Sequence, residues 1–267
     1  VLEACGVEVV FPEGQTCCGQ PAFNSGDWSA AQAALAHFKQ TFDPKLPVVV
    51  PSASCAAQLR HGTSLMQTPI GDFQVYELSE YLLDALEIDA CPPRGVGSLK
   101  SKQVALHQSC HGRAIAIGDR QRRLLELIPG VSVVDPAQAE QCCGFGGAFS
   151  ATHGTISSEI GLEKLRQLEA TGCDVVASGD MGCLMHLMSL AERQGSSLRF
   201  AHYAELMAEA LSGMPLLRAF VVHGAEGWDE PTPVGPFTLH DVRDGKVSSS
   251  VRTPAGYGLP TCRPEAL

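Results

Sequence analysis

Eleven cysteines stand in this 267-residue chain, and four of them form two adjacent pairs followed by glycine, Cys17-Cys18-Gly19 and Cys142-Cys143-Gly144. Neighbouring residues on a regular strand point to opposite faces, so two adjacent thiols that act together must lie on a bent loop. Glycine after the pair lets the backbone come close to a sulfur centre and aim N–H groups at it. Downstream of each pair lies a lone cysteine, Cys55 or Cys183, and ahead of the second pair lies Cys110, with His107 and His111 close by. Thiolates delivered by several loops suit a soft metal centre, and an iron–sulfur cluster is the leading expectation. Zinc competes, although zinc sites are usually built from C-x₂₋₄-C knuckles. The nearest approach to one is Cys183-Leu184-Met185-His186. Redox-active thiols and a vicinal disulfide, which would be strained, are the remaining alternatives. Cys5, Cys91, Cys173 and Cys262 read as small core residues.

The elements that position these cysteines come in duplicate. Gly6-Val7-Glu8-Val9-Val10-Phe11-Pro12 matches Gly130-Val131-Ser132-Val133-Val134-Asp135-Pro136, offset by about 125 positions. The cysteine pairs, a helical stretch, a second Val-rich strand and the lone cysteine follow in the same order in both copies. Strands are expected near 7–11, 47–52, 104–107, 131–135, 174–179 and 198–202, with helices over 27–42 and 154–170. Strand–helix alternation implies an α/β fold of two repeated units with mostly parallel βαβ sheets, and places chemistry in loops after strand ends. The expected divisions are 1–100, 101–213 and 214–267. The first-copy counterpart of Cys110 would fall about 15 residues before Val1, so truncation at the N-terminus and loss of one ligand position are expected.

Composition narrows the partners. With 45% hydrophobic and 18% charged residues the chain can bury a sizeable core. Its 19 basic against 29 acidic residues, a formal net charge of −10, argue against nucleic acid or anionic lipid. No apolar run has the length of a membrane span and no secretory signal opens the sequence. Together with the odd cysteine count, this makes a reducing, cytoplasmic setting the expectation.

The stretches Gly14-Gln15-Thr16-Cys17-Cys18-Gly19-Gln20-Pro21, Pro51-Ser52-Ala53-Ser54-Cys55, Ser109-Cys110-His111, Cys142-Cys143-Gly144-Phe145-Gly146-Gly147 and Gly182-Cys183-Leu184-Met185-His186 resemble the CCG-domain cysteine-rich iron–sulfur proteins. The resemblance covers about residues 1–213 and is strongest to the lactate-utilization protein A branch, whose relatives include heterodisulfide reductase and the glycolate oxidase iron–sulfur subunit. It implies two clusters of the 4Fe-4S type, one per repeat, in a multiprotein system that oxidises L-lactate to pyruvate. Cys110, Cys142, Cys143 and Cys183 would hold the second cluster; Cys17, Cys18 and Cys55 match the first set. The family's fuller C-x-x-C ending is missing at both Cys55 and Cys183. His107, His111 and His186 could ligate or tune a cluster, but packing and hydrogen-bonding roles weigh more at each. Neither a ferredoxin-type cysteine run nor a G-x-G-x-x-G loop after a strand is present, so substrate chemistry should lie with companion ferredoxin-type iron–sulfur and other lactate-utilization subunits.

From about Leu217 the sequence texture changes. Pro231-Thr232-Pro233-Val234-Gly235-Pro236 and Tyr257-Gly258-Leu259-Pro260 resemble the C-terminal part of anthranilate phosphoribosyltransferase. That resemblance implies a magnesium-binding role for Asp229 and Glu230. The phosphate loop of that enzyme has no match in the chain, so the tail is expected to be catalytically inactive, whether fusion, joined fragment or appendage. Strands are expected at 237–242 and 246–252, joined at Asp244-Gly245.

Overall fold

The computed structural model describes residues 1–89 and 102–212, and the backbone of two strands at 238–243 and 246–252. The chain divides into two compact units, Val1–Pro215 and Leu216–Leu267.

The first unit contains the two repeats. The first has helices α1 (Gln20–Asn24) and α2 (Trp28–Thr41), strand β1 (Val48–Val50) and helix α3 (Ala53–Ala57), which runs through a π-helical turn, Gln58–Gly62, into α4 (Thr63–Leu65). Strand β2 (Val75–Glu77) then leads into α5 (Leu78–Glu80), prolonged by a π-helical Tyr81–Ala85. The second repeat runs β3 (Lys102–Leu106), α6 (Cys110–Ala114), α7 (Arg120–Glu126), β4 (Val131–Val134), α8 (Ala148–Thr152), α9 (Gly154–Glu169), β5 (Val175–Ser178), α10 (Met181–Gln194), β6 (Arg199–His202) and α11 (Tyr203–Ser212). Helix α2 starts where the Asp27 carboxylate accepts from Ala30 N at 3.0 Å. It buries Ala31, Leu35 and Phe38, the apolar positions of its helical period. Helix α9 likewise buries Gly161, Leu165 and Leu168.

Both sheets are parallel, as the βαβ pattern requires. β1 pairs with β2, and the larger sheet has the order β4-β3-β5-β6. Every residue of β5 is buried, the mark of a strand covered on both faces. One expected strand does not form: residues 7–11 join no sheet, with Val9, Val10 and Phe11 exposed at 47%, 64% and 74%. The counterpart, β4, is held by pairing to β3 from Lys102↔Val131 to Ala105↔Val134. No described strand flanks β1 on the corresponding side, so residues 7–11 have no ladder to join.

The repeats share one core. Leu78 and Leu82 of the first pack with Val104, Leu124, Val175 and Leu206 of the second. Each such fully buried side chain contributes about 1.5–3 kcal/mol. At its edge the Glu77 carboxylate, wholly buried, accepts from Tyr203 Oη at 2.8 Å and from the Ser79 amide at 2.7 Å, and burial raises its pKa. Two backbone amides of the first repeat, Ala53 and Ser54, donate across to Gly179 O (3.1 Å) and Asp180 Oδ2 (3.0 Å).

Taken by itself, the second unit shows β7 (Thr238–Arg243) and β8 (Lys246–Arg252) paired antiparallel, with an irregularity between Asp241 and Val242. The strands expected there form; Asp244-Gly245 lies outside the described residues. So do Asp229, Glu230 and the rest of the stretch that resembles the phosphoribosyltransferase.

Candidate metal centre

Both cysteine pairs lie on loops that lead into a helix, and in both the glycine is fixed by packing. Gly19 and Gly144 have φ of +85° and +88°, a left-handed conformation that side chains other than glycine's adopt at a cost. A Cβ on Gly144 would meet Ser157 O of α9 at 2.4 Å, and one on Gly19 would meet Ala34 Cβ of α2 at 3.0 Å. The Ser157 hydroxyl fastens the second loop by donating to Gly144 O at 2.8 Å. The close turn also delivers N–H groups to sulfur. Gly144 N donates to Cys142 Sγ at 3.3 Å, while the amides of Phe145 and Gln20 donate to Cys143 and Cys18.

The lone cysteines sit in the first turns of helices that follow parallel strands. Ser109 caps α6, accepting from Gly112 N at 3.1 Å, and Cys110 is that helix's first residue. Ser52 caps α3, accepting from Cys55 N at 3.5 Å. Asp180 caps α10 by accepting from Gly182 N at 3.1 Å through Oδ1, while its Oδ2 accepts from Ser54 N of α3. One buried carboxylate therefore holds the starts of two cysteine-bearing helices. Helix starts favour thiolate over thiol.

In the second repeat the four thiols interact in a chain, Cys110 with Cys142, Cys142 with Cys143 and Cys143 with Cys183, each member of a pair near enough to shift the other's ionisation. Cys143 and Cys183 are buried; Cys110 and Cys142 are exposed. Contact with Cys142, and then burial, push the Cys110 thiol up. Contacts with Cys142 and Cys183, and then burial, do the same to Cys143, whereas contacts with Cys110 and Cys143 hold Cys142 far below its ordinary range. Thiols packed this closely share protons because several thiolates cannot stand together uncompensated; a bound cation or cluster removes that constraint. The first repeat is less complete. Cys18 and Cys55 touch, Sγ to Sγ, at 3.2 Å, which raises Cys18 and lowers Cys55 to about 7, and Cys17 is exposed.

The three histidines separate cleanly. His186 Nε2 lies 3.4 Å from Ser157 Oγ and 3.3 Å from Ser157 O, and His111 Nε2 lies 2.9 Å from the Gln20 side-chain nitrogen, so both have hydrogen-bonding partners. His107 does not. It is 1% exposed, neither ring nitrogen has a partner among the described residues, and a ring nitrogen lies within 4.8 Å of the Cys143 and Cys183 sulfurs. An unsatisfied buried polar atom costs about 1–3 kcal/mol. Such a group beside converging thiols fits a site shaped for an additional occupant. Lys164, also buried, donates to Gln138 O at 2.9 Å and Ala139 O at 3.3 Å, pinning the approach to Cys142; burial brings its pKa down to about 8. Sequence reasoning passed over Lys164, Gln20 and Asp180. Only Asp180 left a local signal, as a capping residue ahead of Gly182-Cys183.

The cysteine-rich CCG domain profile matches residues 1–60 and 104–188 of this chain. Lactate utilization protein A from Geobacillus sp. (strain WCH70) is 36% identical over 219 residues, which cover 78% of this chain and 89% of that protein. Lactate utilization protein A 2 from Bacillus cereus (strain Q1) is 35% identical over 225 residues, covering 79% and 90%. Lactate utilization protein A 2 from Bacillus anthracis (strain A0248) is 36% identical over 219 residues, covering 79% and 90%.

Proposed function

The chain belongs to the cysteine-rich CCG domain family, close to its lactate utilization protein A members, and from that premise we propose that it is an iron–sulfur electron-transfer subunit of an L-lactate-oxidising system. The observation that carries this reading is the convergence of Cys110, Cys142, Cys143 and Cys183, which interact pairwise, on the loops at the C-terminal end of a parallel sheet, with Cys143 and Cys183 within 4.8 Å of each other. These four would hold a cluster of the 4Fe-4S type. Cys17, Cys18 and Cys55 would contribute to a second. Bound there, a cluster supplies one-electron transfer. The residues of this chain do the rest: the Gly144, Phe145 and Gln20 amides stabilise negative charge on sulfur, Lys164 fixes the loop before Cys142, and burial of Cys143 and Cys183 limits access of water and oxidants.

Electrons must enter and leave through other proteins, so the partners are companion ferredoxin-type iron–sulfur and further lactate-utilization subunits, in the cytoplasm. No helix among the described residues is long and apolar enough to cross a membrane. A zinc reading draws on the grouping of His107, Cys143 and Cys183 within 4.8 Å. Anaerobic purification followed by iron, acid-labile sulfide and zinc assay decides between them. Iron and sulfide in comparable amounts, with visible absorption bleached by dithionite, are expected; stoichiometric zinc without sulfide would overturn the iron–sulfur reading. The isolated chain is expected to show no lactate oxidation with artificial acceptors, and turnover by homogeneous protein would overturn the subunit role.

A further inference from the structure

His107 is a buried residue beside the cysteine quartet whose chemistry the proposed function leaves unused. His111, whose Nδ1 lies 3.7 Å from Cys110 Sγ, is already engaged with Gln20 through Nε2. The backbone of His107 is held at the end of β3, where His107 N donates to Ala177 O at 2.8 Å, which fixes the Cα from which the buried ring projects. The imidazole is buried, has no hydrogen-bonding partner at either nitrogen among the described residues, and stands within 4.8 Å of Cys143 Sγ and Cys183 Sγ. A neutral imidazole always offers one N–H donor. Donors elsewhere around it are committed: Lys164 Nζ to the carbonyls of Gln138 and Ala139, and Gly144 N to Cys142.

We propose that His107 donates an N–H hydrogen bond to the sulfur of the second-repeat centre at the Cys143–Cys183 side, raising its reduction potential. The inference rests on the iron–sulfur reading above. The four cysteines already complete a quartet, which leaves the imidazole as a donor rather than a ligand. A hydrogen bond to sulfur stabilises the more electron-rich form of a cluster, and burial removes the water that would compete for it. His107 is therefore a positioning and tuning residue.

The test uses the full chain, reconstituted anaerobically with iron and sulfide and carrying Cys18→Ser to remove the first-repeat signal. In protein labelled with ¹⁵N-histidine, electron–nuclear double resonance of the reduced centre should show a weak nitrogen coupling and a proton coupling that disappears in D₂O. His107→Leu should abolish the nitrogen coupling and leave only the exchangeable-proton signal of the backbone amides at Cys142 and Cys143. It should also shift the oxidised/reduced equilibrium at least tenfold toward the oxidised form, about 59 mV for one electron. His107→Gln, which keeps an N–H donor, should recover part of that shift. Iron present without the nitrogen coupling, or an unchanged potential in an iron-loaded His107→Leu protein, would overturn the inference. The strong nitrogen coupling of a directly bound imidazole would also overturn it, in favour of ligation. If His107→Leu fails to hold iron, the labelled double variant His111→Gln/His186→Gln decides: a weak nitrogen coupling that persists there belongs to His107, and its loss overturns the inference. Absence of iron from the unsubstituted chain would instead overturn the functional reading, and this inference with it.

Discussion

The two repeats build their cysteine loops in the same way but arrive at different sites. Each has a CCG turn in a left-handed glycine conformation seated on the following helix, and a lone cysteine in a capped first helical turn. Yet four thiols meet in the second repeat, while in the first only Cys18 and Cys55 touch and Cys17 is exposed. The loops match because glycine–helix packing and caps are short-range and survive in a small sheet. The sites differ because the last thiol and the histidine arrive on β3 and the turn after it, which has no described counterpart in the first repeat. Loop geometry is local, and completeness of the site depends on the sheet.

The sharpest test of this contrast is metal content. Cys143→Ser is expected to remove most of the iron-linked visible absorption, and Cys18→Ser a clearly smaller share. Equal losses would show that the first repeat holds its centre as well as the second. Next come the glycines. Gly144→Ala forces a Cβ to 2.4 Å from a backbone oxygen and should cost more than about 3 kcal/mol in denaturant unfolding. Gly19→Ala, whose nearest contacts are 3.0–3.3 Å, should cost about 1–2 kcal/mol. A reversed order would break the packing explanation.

The caps should separate more gently. Asp180→Ala frees amides in both α10 and α3, for about 1–3 kcal/mol, and should lower iron retention in both repeats. Ser52→Ala loses one long contact and should cost about 0.5–1 kcal/mol, with any loss of iron confined to the first repeat. The smallest effect is expected from truncation after Gly213. Cys17, Cys18, Cys55, Cys110, Cys142, Cys143 and Cys183 all lie within the Val1–Pro215 unit, so iron stoichiometry should stay the same.

Much of this was legible in the sequence because it is local. The repeat, the parallel α/β class, the bent cysteine loops and the helices over 28–41 and 154–169 follow from glycine position, valine runs and helical spacing. The strand expected at 7–11 was misread for a physical reason: Val7 to Phe11 has strand propensity, but a strand needs an adjacent edge, and propensity cannot report one. Residues joined across the repeats were equally silent. Nothing near Gln20 in sequence announces His111, and nothing near Asp180 announces Ser54. His107 looked like an ordinary packing histidine until its burial without a partner was visible.

The quartet's dispersal along the chain also sets a timetable. Cys110, Cys142, Cys143 and Cys183 arrive on successive strand–helix connections, and β5, whose Ala177 carbonyl accepts from His107 N, is made after the first three of these thiols. At about 5–20 residues per second, ribosomal synthesis from Cys110 to Cys183 lasts roughly 4–15 s. Throughout that interval the earlier thiols are newborn and unescorted, before the helix that completes their enclosure has emerged. Closure of the full quartet must therefore wait for α10 to emerge, and until then the earlier thiols are more open to oxidants than in the finished protein.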